Sequence, residues 1–249
     1  MLSTSVIPGQ NLTQPEQVAA LIDHTLLKPE ATQHAIAQLC AEAREYHFAA
    51  VCINPCWVRF AKSALAGSNV RVCTVIGFPL GANEMRTKMA EAEYALSEGA
   101  TELDMVQNIG ALCSGDLRFV RDEIAALART AHASVARLKV ILETCLLTDA
   151  QKITASKIAT EALADFVKTS TGFSSAGATV EDVRLMRQTA APTVGVKASG
   201  GVRTLAAVRQ MVAAGANRIG TSSGVTIMRE LNSAALDEPA LPTSGQAVY

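Results

Sequence analysis

Eight short apolar runs, each followed by a longer segment with helical spacing, dictate the fold class of this 249-residue chain. The runs fall at residues 20–25, 49–54, 71–77, 102–107, 138–143, 164–169, 193–198 and 217–220. Strands that read as continuous apolar runs are buried on both faces, and such strands alternating with helices form a parallel sheet. In the segment 84–98, Met89, Ala92, Ala95 and Leu96 recur among Lys88, Glu91 and Tyr94, the spacing of a helix with one apolar face. Helical patterns also cover 117–131, 149–163, 180–189 and 205–213, and Gly99 and Gly215 supply the expected stop residues. Eight β/α units in about 250 residues predict a single closed (β/α)8 TIM barrel. The alternative, an open doubly wound sheet, would bring a G-x-G-x-x-G turn after its first strand, and none follows here.

No composition shift or linker divides the chain, so the barrel is expected over residues 1–231, led by a helix up to about Ala19. A flexible tail is expected at 232–249. Hydrophobic residues make up 49%, enough for a large core, and the 22 basic and 23 acidic residues nearly cancel. That balance offers no basic face for nucleic acid. No apolar stretch approaches the ~18 residues of a membrane span, and the N-terminus has no signal-peptide pattern, so a cytoplasmic protein is expected. The six cysteines include no C-x-x-C pair and several lie in apolar runs, as reduced buried thiols do. The four histidines show no metal-ligand spacing, and no metal is expected.

Two lysines occupy matching places. Lys168 closes the stretch Ala164-Asp165-Phe166-Val167 and precedes Thr169-Ser170-Thr171-Gly172; Lys197 closes Val194-Gly195-Val196 and precedes Ala198-Ser199-Gly200-Gly201. Burial disfavours a lysine's charged form, and a second ammonium nearby disfavours it further. A lysine so placed is an amine able to attack a carbonyl. The active site of such a barrel lies at the C-terminal strand ends. Those ends also carry Asp23, Thr25, Cys52, Asp104, Lys139 and Glu143. Paired within one polar cluster these groups acquire the perturbed pKa values that acid–base chemistry needs. Side-chain alternation leaves open which of them face the pocket. Cys52, if it does, is a thiol within reach of an electrophilic aldehyde.

The last two βα loops point to an anionic substrate. Gly200 and Gly201 follow the seventh strand, and Gly220-Thr221-Ser222-Ser223 follow the eighth, each opening a helix. Backbone N–H groups, helix N-termini and hydroxyls there favour a phosphate. Thr171 and Gly172 offer a third wall. A phosphorylated carbonyl compound meeting an amine means Schiff-base chemistry, with Asp104 as a proton carrier.

Six segments, in order along residues 20–228, then resemble the deoxyribose-phosphate aldolase family: Leu21–Leu27, Ala50–Pro55, Glu102–Val106, Lys139–Thr144, Phe166–Gly172 and Lys197–Arg203. The resemblance implies a class I aldolase without metal or organic cofactor. It would reversibly split 2-deoxy-D-ribose 5-phosphate into D-glyceraldehyde 3-phosphate and acetaldehyde, in deoxyribose phosphate catabolism. Lys168 would be the Schiff-base lysine, and Asp104 and Lys197 the proton donor and acceptor. Asp23, Thr25, Cys52, Lys139 and the loop residues named above would contact substrate, and Tyr249 is a candidate to close over the phosphate. Competing readings are another Schiff-base aldolase or transaldolase, and a non-catalytic sugar-phosphate-binding barrel. A weakly held homo-oligomer, dimer or tetramer, is the expected assembly.

Overall fold

A computed structural model of the chain describes residues 12–237. The first half runs α1 (Pro15–Ala19), β1 (Ile22–Leu26), α2 (Gln33–Glu45), β2 (Ala50–Ile53), α3 (Val58–Ala64), β3 (Arg71–Ile76), α4 (Met85–Ser97) and β4 (Glu102–Val106). After β4 come α5 (Ile109–Cys113), α6 (Leu117–Ala133), β5 (Arg137–Ile141), α7 (Asp149–Glu161), β6 (Phe166–Lys168) and α8 (Val180–Thr189). The chain continues through β7 (Gly195–Ser199), α9 (Leu205–Ala213), β8 (Arg218–Thr221) and α10 (Gly224–Asp237). The eight strands are parallel, pair in sequence order and close when β8 pairs with β1, as the alternating pattern predicts.

Period-two alternation gives each strand two different jobs. One face carries Ile22, Val51, Val72, Leu103, Leu138, Val167, Val196 and Ile219, all in the main apolar cluster with the helices. Each such side chain contributes about 1.5–3 kcal/mol on full burial. The other face points into the barrel. There Ala50, Cys52, Cys73 and Val75 form a small separate apolar cluster, and the remaining inward positions are mostly charged. Residues 22, 103 and 138 therefore hold the fold together, while 23, 104 and 139 are free to build a site.

Helix ends follow from local chemistry. Thr32, Thr148, Thr179 and Thr204 each accept an N–H of the first turn of α2, α7, α8 and α9, and the Thr148/Gln151 pair forms a full capping box. The expected strand bounds are off by one or two residues. The fifth strand stops at Ile141 rather than 143, because Glu143 adopts left-handed backbone (φ 57°) and turns the chain out of the sheet. Residues 232–237 were expected in the tail but extend α10, whose buried Ile227, Met228 and Leu231 keep an apolar stripe in register. The rest of the expected tail with Tyr249, and residues 1–11 of the leading segment, lie outside the described residues.

Candidate active site

Asp104 is the hub of the inward face. From β4 its Oδ2 accepts from Lys168 on β6 and from Lys197 on β7, each at 2.7 Å. Its Oδ1 accepts from Lys139 on β5 at 2.7 Å and from the Cys73 thiol on β3 at 3.1 Å. Burial alone would raise the Asp104 pKa, but the three ammoniums outweigh it and hold the group well below the ordinary carboxylate value. Asp104 is therefore an anion throughout the neutral range.

Lys197 also donates to Asp23 Oδ2 on β1, and Arg218 Nη1 on β8 donates to Asp23 Oδ1 at 2.8 Å. Burial disfavours the charges of Lys197 and Lys139, yet the carboxylates facing them raise both pKa values above that of an ordinary lysine. Both remain ammonium ions at neutral pH. The repulsion expected between Lys168 and Lys197 is thus mediated, since one oxygen of Asp104 stands between the two. Beneath them Glu102 contacts Arg218 at 2.8 Å and Lys139 at 2.6 Å.

Lys168 is the one amine of this cluster that lines the cleft. The cleft, about 410 Å³, opens at the C-terminal strand ends, and its wall includes Thr25, Thr171, Gly172, Gly200, Gly201, Gly220, Thr221 and Ser222. Those eight were all expected at the substrate. Asp23, Cys52 and Lys139 were too, but they have no solvent exposure and lie beneath the floor. The alternation that aims them into the barrel also puts them one layer down. Ser223 is half-buried and stays out of the wall, its N–H donating to Thr221 Oγ1 at 2.9 Å.

The loops are tied to each other. Thr171 donates to Glu143 and Thr221 donates to the Val202 carbonyl, so both hydroxyls help position the loops. The first N–H of α9 is already taken by Glu230 Oε2, at 2.7 Å from Leu205 N. Gly200 packs so closely on Gly177 that a Cβ on Gly177 would lie 2.2 Å from the Gly200 carbonyl oxygen.

Gly220 has an unforeseen role. A Cβ there would fall 2.2 Å from Ser199 Oγ and 3.0 Å from Lys197 Cε. Only glycine leaves room for Lys197 to cross to β1. Gly220→Ala is expected to displace the ammonium and lower kcat/KM by about 10²-fold, the cost of an ångström-scale misplacement. Steady-state assays beside circular dichroism check this; a folded variant with parent kinetics rejects it.

Sequence reasoning did not single out Arg218, Glu102 as a cluster member, Cys73, Lys28, Arg203 or Phe173, the last three of which line the cleft. The inward period of each strand, followed down from its C-terminal end, would have found the first three. Two groups bring possible metal-ligand atoms within 4.8 Å of one another: Cys52, Cys73 and Asp104, and Asp23, Cys73 and Glu102. In both, every carboxylate already faces lysine or arginine, which would repel an added cation.

The parallel barrel thus presents one amine of a buried lysine–carboxylate cluster, Lys168, at the wall of an open cleft. Residues 17–231 match the DeoC/LacD family aldolase model. The chain is 60% identical over 207 residues to the deoxyribose-phosphate aldolase of Brevibacillus brevis, spanning 83% of this chain and 93% of that protein. It is 56% identical over 217 residues to that of a Thermoanaerobacter species, spanning 86% and 97%. Among solved structures it resembles "QR15, an Aldolase" (42% identity, TM-score 0.84, covering 89% of this chain and 99% of that one). It also resembles the deoxyribose phosphate aldolase of Aeropyrum pernix, described as a unique tetrameric structure (37% identity, TM-score 0.84, covering 90% and 94%). The chain belongs to the DeoC/LacD aldolase family and, within it, to the deoxyribose-phosphate aldolases. Among the described residues no helix is long and apolar enough to cross a membrane.

Proposed function

We propose that Lys168 is the amine through which this carbon–carbon lyase works, with Lys197 and Asp104 moving the protons. The carrying observation is that Lys168 alone joins the buried cluster to the cleft: its Nζ meets Asp104 and its side chain lines the wall. The substrate is 2-deoxy-D-ribose 5-phosphate in its open-chain aldehyde form. Lys168 Nζ attacks C1, and loss of water leaves a protonated imine. The C3 hydroxyl gives up its proton, its C–O becomes a carbonyl, and the C2–C3 bond breaks with its electron pair drawn into the iminium. D-Glyceraldehyde 3-phosphate departs, leaving an enamine on Lys168. Protonation at C2 and hydrolysis release acetaldehyde and restore the amine. No external electron acceptor is needed.

The residues account for the proton traffic. Asp104 is held as an anion and Lys197 as a cation, already in a 2.7 Å hydrogen bond, so acceptor and donor are preorganised beside the nitrogen that changes charge. Glycine-rich loops around Gly200–Gly201 and Gly220–Ser222, with Arg203 beside them, support binding of the phosphate at the far side of the cleft. Thr25, Thr171 and Gly172 would contact the sugar.

Ser222→Asp puts a carboxylate where the dianion must sit. The expected result is a large rise in KM for the 5-phosphate and little change with free deoxyribose, because the lost interaction is ground-state binding. Equal losses with both substrates would place the phosphate elsewhere. The proposal includes a homo-oligomer, dimer or tetramer, to be tested by sedimentation. It also includes a cytoplasmic setting, supported by six free cysteines of which Cys56 and Cys113 are exposed.

A further inference from the structure

Six of the buried charged groups close into a ring. Asp104 contacts Lys197, Lys197 contacts Asp23, and Asp23 contacts Arg218. Arg218 contacts Glu102, Glu102 contacts Lys139, and Lys139 returns to Asp104. The signs alternate all the way round, three carboxylates against three cations, so the ring sums to zero. Each member except Arg218 has no solvent exposure, and Arg218 is only 3% exposed. Lys168 hangs on the ring from outside, through Asp104 Oδ2 alone. Its charge lies outside the ring's balance, as does that of Arg71, which approaches Glu102 at 3.6 Å from β3.

We propose that Glu102 and Arg218, which never reach the cleft, are positioning residues that set the pH range in which Lys168 serves as an amine, by fixing the net charge of this ring. The inference rests on Lys168 being the Schiff-base amine. An isolated ion pair would do less: Arg218 also orients Asp23, which in turn holds Lys197 beside Asp104. The other titratable or charged groups facing Lys168 are few. Cys52 approaches from β2, Lys28 and Arg203 line the cleft, and Glu143 is engaged with Thr171 at the mouth. None of these belongs to the ring, so a change at Glu102 or Arg218 leaves them in place.

The sign of the charge removed decides the direction. Arg218→Met leaves the ring at −1, which favours a proton on Lys168 and moves the acid limb of imine formation to higher pH. Glu102→Gln leaves it at +1 and moves the limb to lower pH. A unit charge acting across several ångströms of protein gives shifts on the order of one pH unit. The Glu102→Gln/Arg218→Met pair restores a sum of zero and should return the profile to the parent's. Arg218→Lys keeps the charge and should stay near it.

The experiment is the pH dependence, in the full chain, of acetaldehyde adduct formation on Lys168, trapped with cyanoborohydride and read by peptide mass. If the parent traps nothing on Lys168, the Schiff-base reading fails and this inference with it. If the parent traps there but the two single variants shift the same way, or not at all, the ring inference alone is overturned. If the single variants do not fold, the doubly substituted protein decides: a parent-like profile supports the ring and a displaced one overturns it. A merely structural role would lower every rate without opposite shifts and would make the double substitution the worst.

Discussion

Lys168→Arg is expected to abolish turnover while leaving the fold and phosphate binding intact. A guanidinium stays protonated at every accessible pH and has no lone pair to give a carbonyl. Its positive charge can still face Asp104, so the cluster keeps its anchor and the variant should fold. The loss is therefore chemical rather than structural, and it should be total within assay limits because no other amine of the cluster reaches the cleft. Retro-aldol assays on the purified variant, beside inorganic phosphate binding, check this. Appreciable activity would remove Lys168 from the mechanism.

Asp104→Asn should cut kcat/KM by about 10²–10⁴-fold, the usual worth of a positioned acid–base group. The geometry explains why no asparagine rotamer rescues it. Oδ1 serves Lys139 and Cys73, and Oδ2 serves Lys168 and Lys197. An amide can accept on only one side, and its NH2 then opposes an ammonium on the other. Breaking a buried ion pair costs about 3–5 kcal/mol, which in a chain of this size lowers Tm by on the order of 10 °C. Activity and Tm should thus fall together, whereas Lys168→Arg separates them. A variant within a few-fold of parent activity would show that Asp104 moves no proton.

The barrel was legible because the outward face of each strand is simply apolar. Val51, Leu103, Val140 and Val196 pack on helices, and neither their number nor their spacing depends on the site. Lys168 and Lys197 were legible as cluster members because charge near the C-terminal end of an apolar run has few structural reasons to exist, and Asp104 because it interrupts the middle of one. The depth of each residue was not legible. Lys139 and Lys168 look alike in sequence, yet Lys139 lies beneath the floor and Lys168 in it, since adjacent strands are staggered around a barrel and Lys139 pairs with Phe166 rather than with Lys168. Arg218 escaped for the opposite reason. It starts its strand instead of ending it, so its long side chain enters the site from below. The local hydrogen bonds of the loops were not legible either: Thr221, in the cleft wall, donates its proton to the Val202 carbonyl.

Reductive trapping tests the central claim most directly. The full chain is incubated with acetaldehyde and borohydride, digested and mapped by mass spectrometry. A single ethylated lysine is expected at Lys168, with activity lost in proportion to its modification and Lys139 and Lys197 unmodified. Modification of another lysine in step with inactivation, or full activity after trapping, would contradict the account.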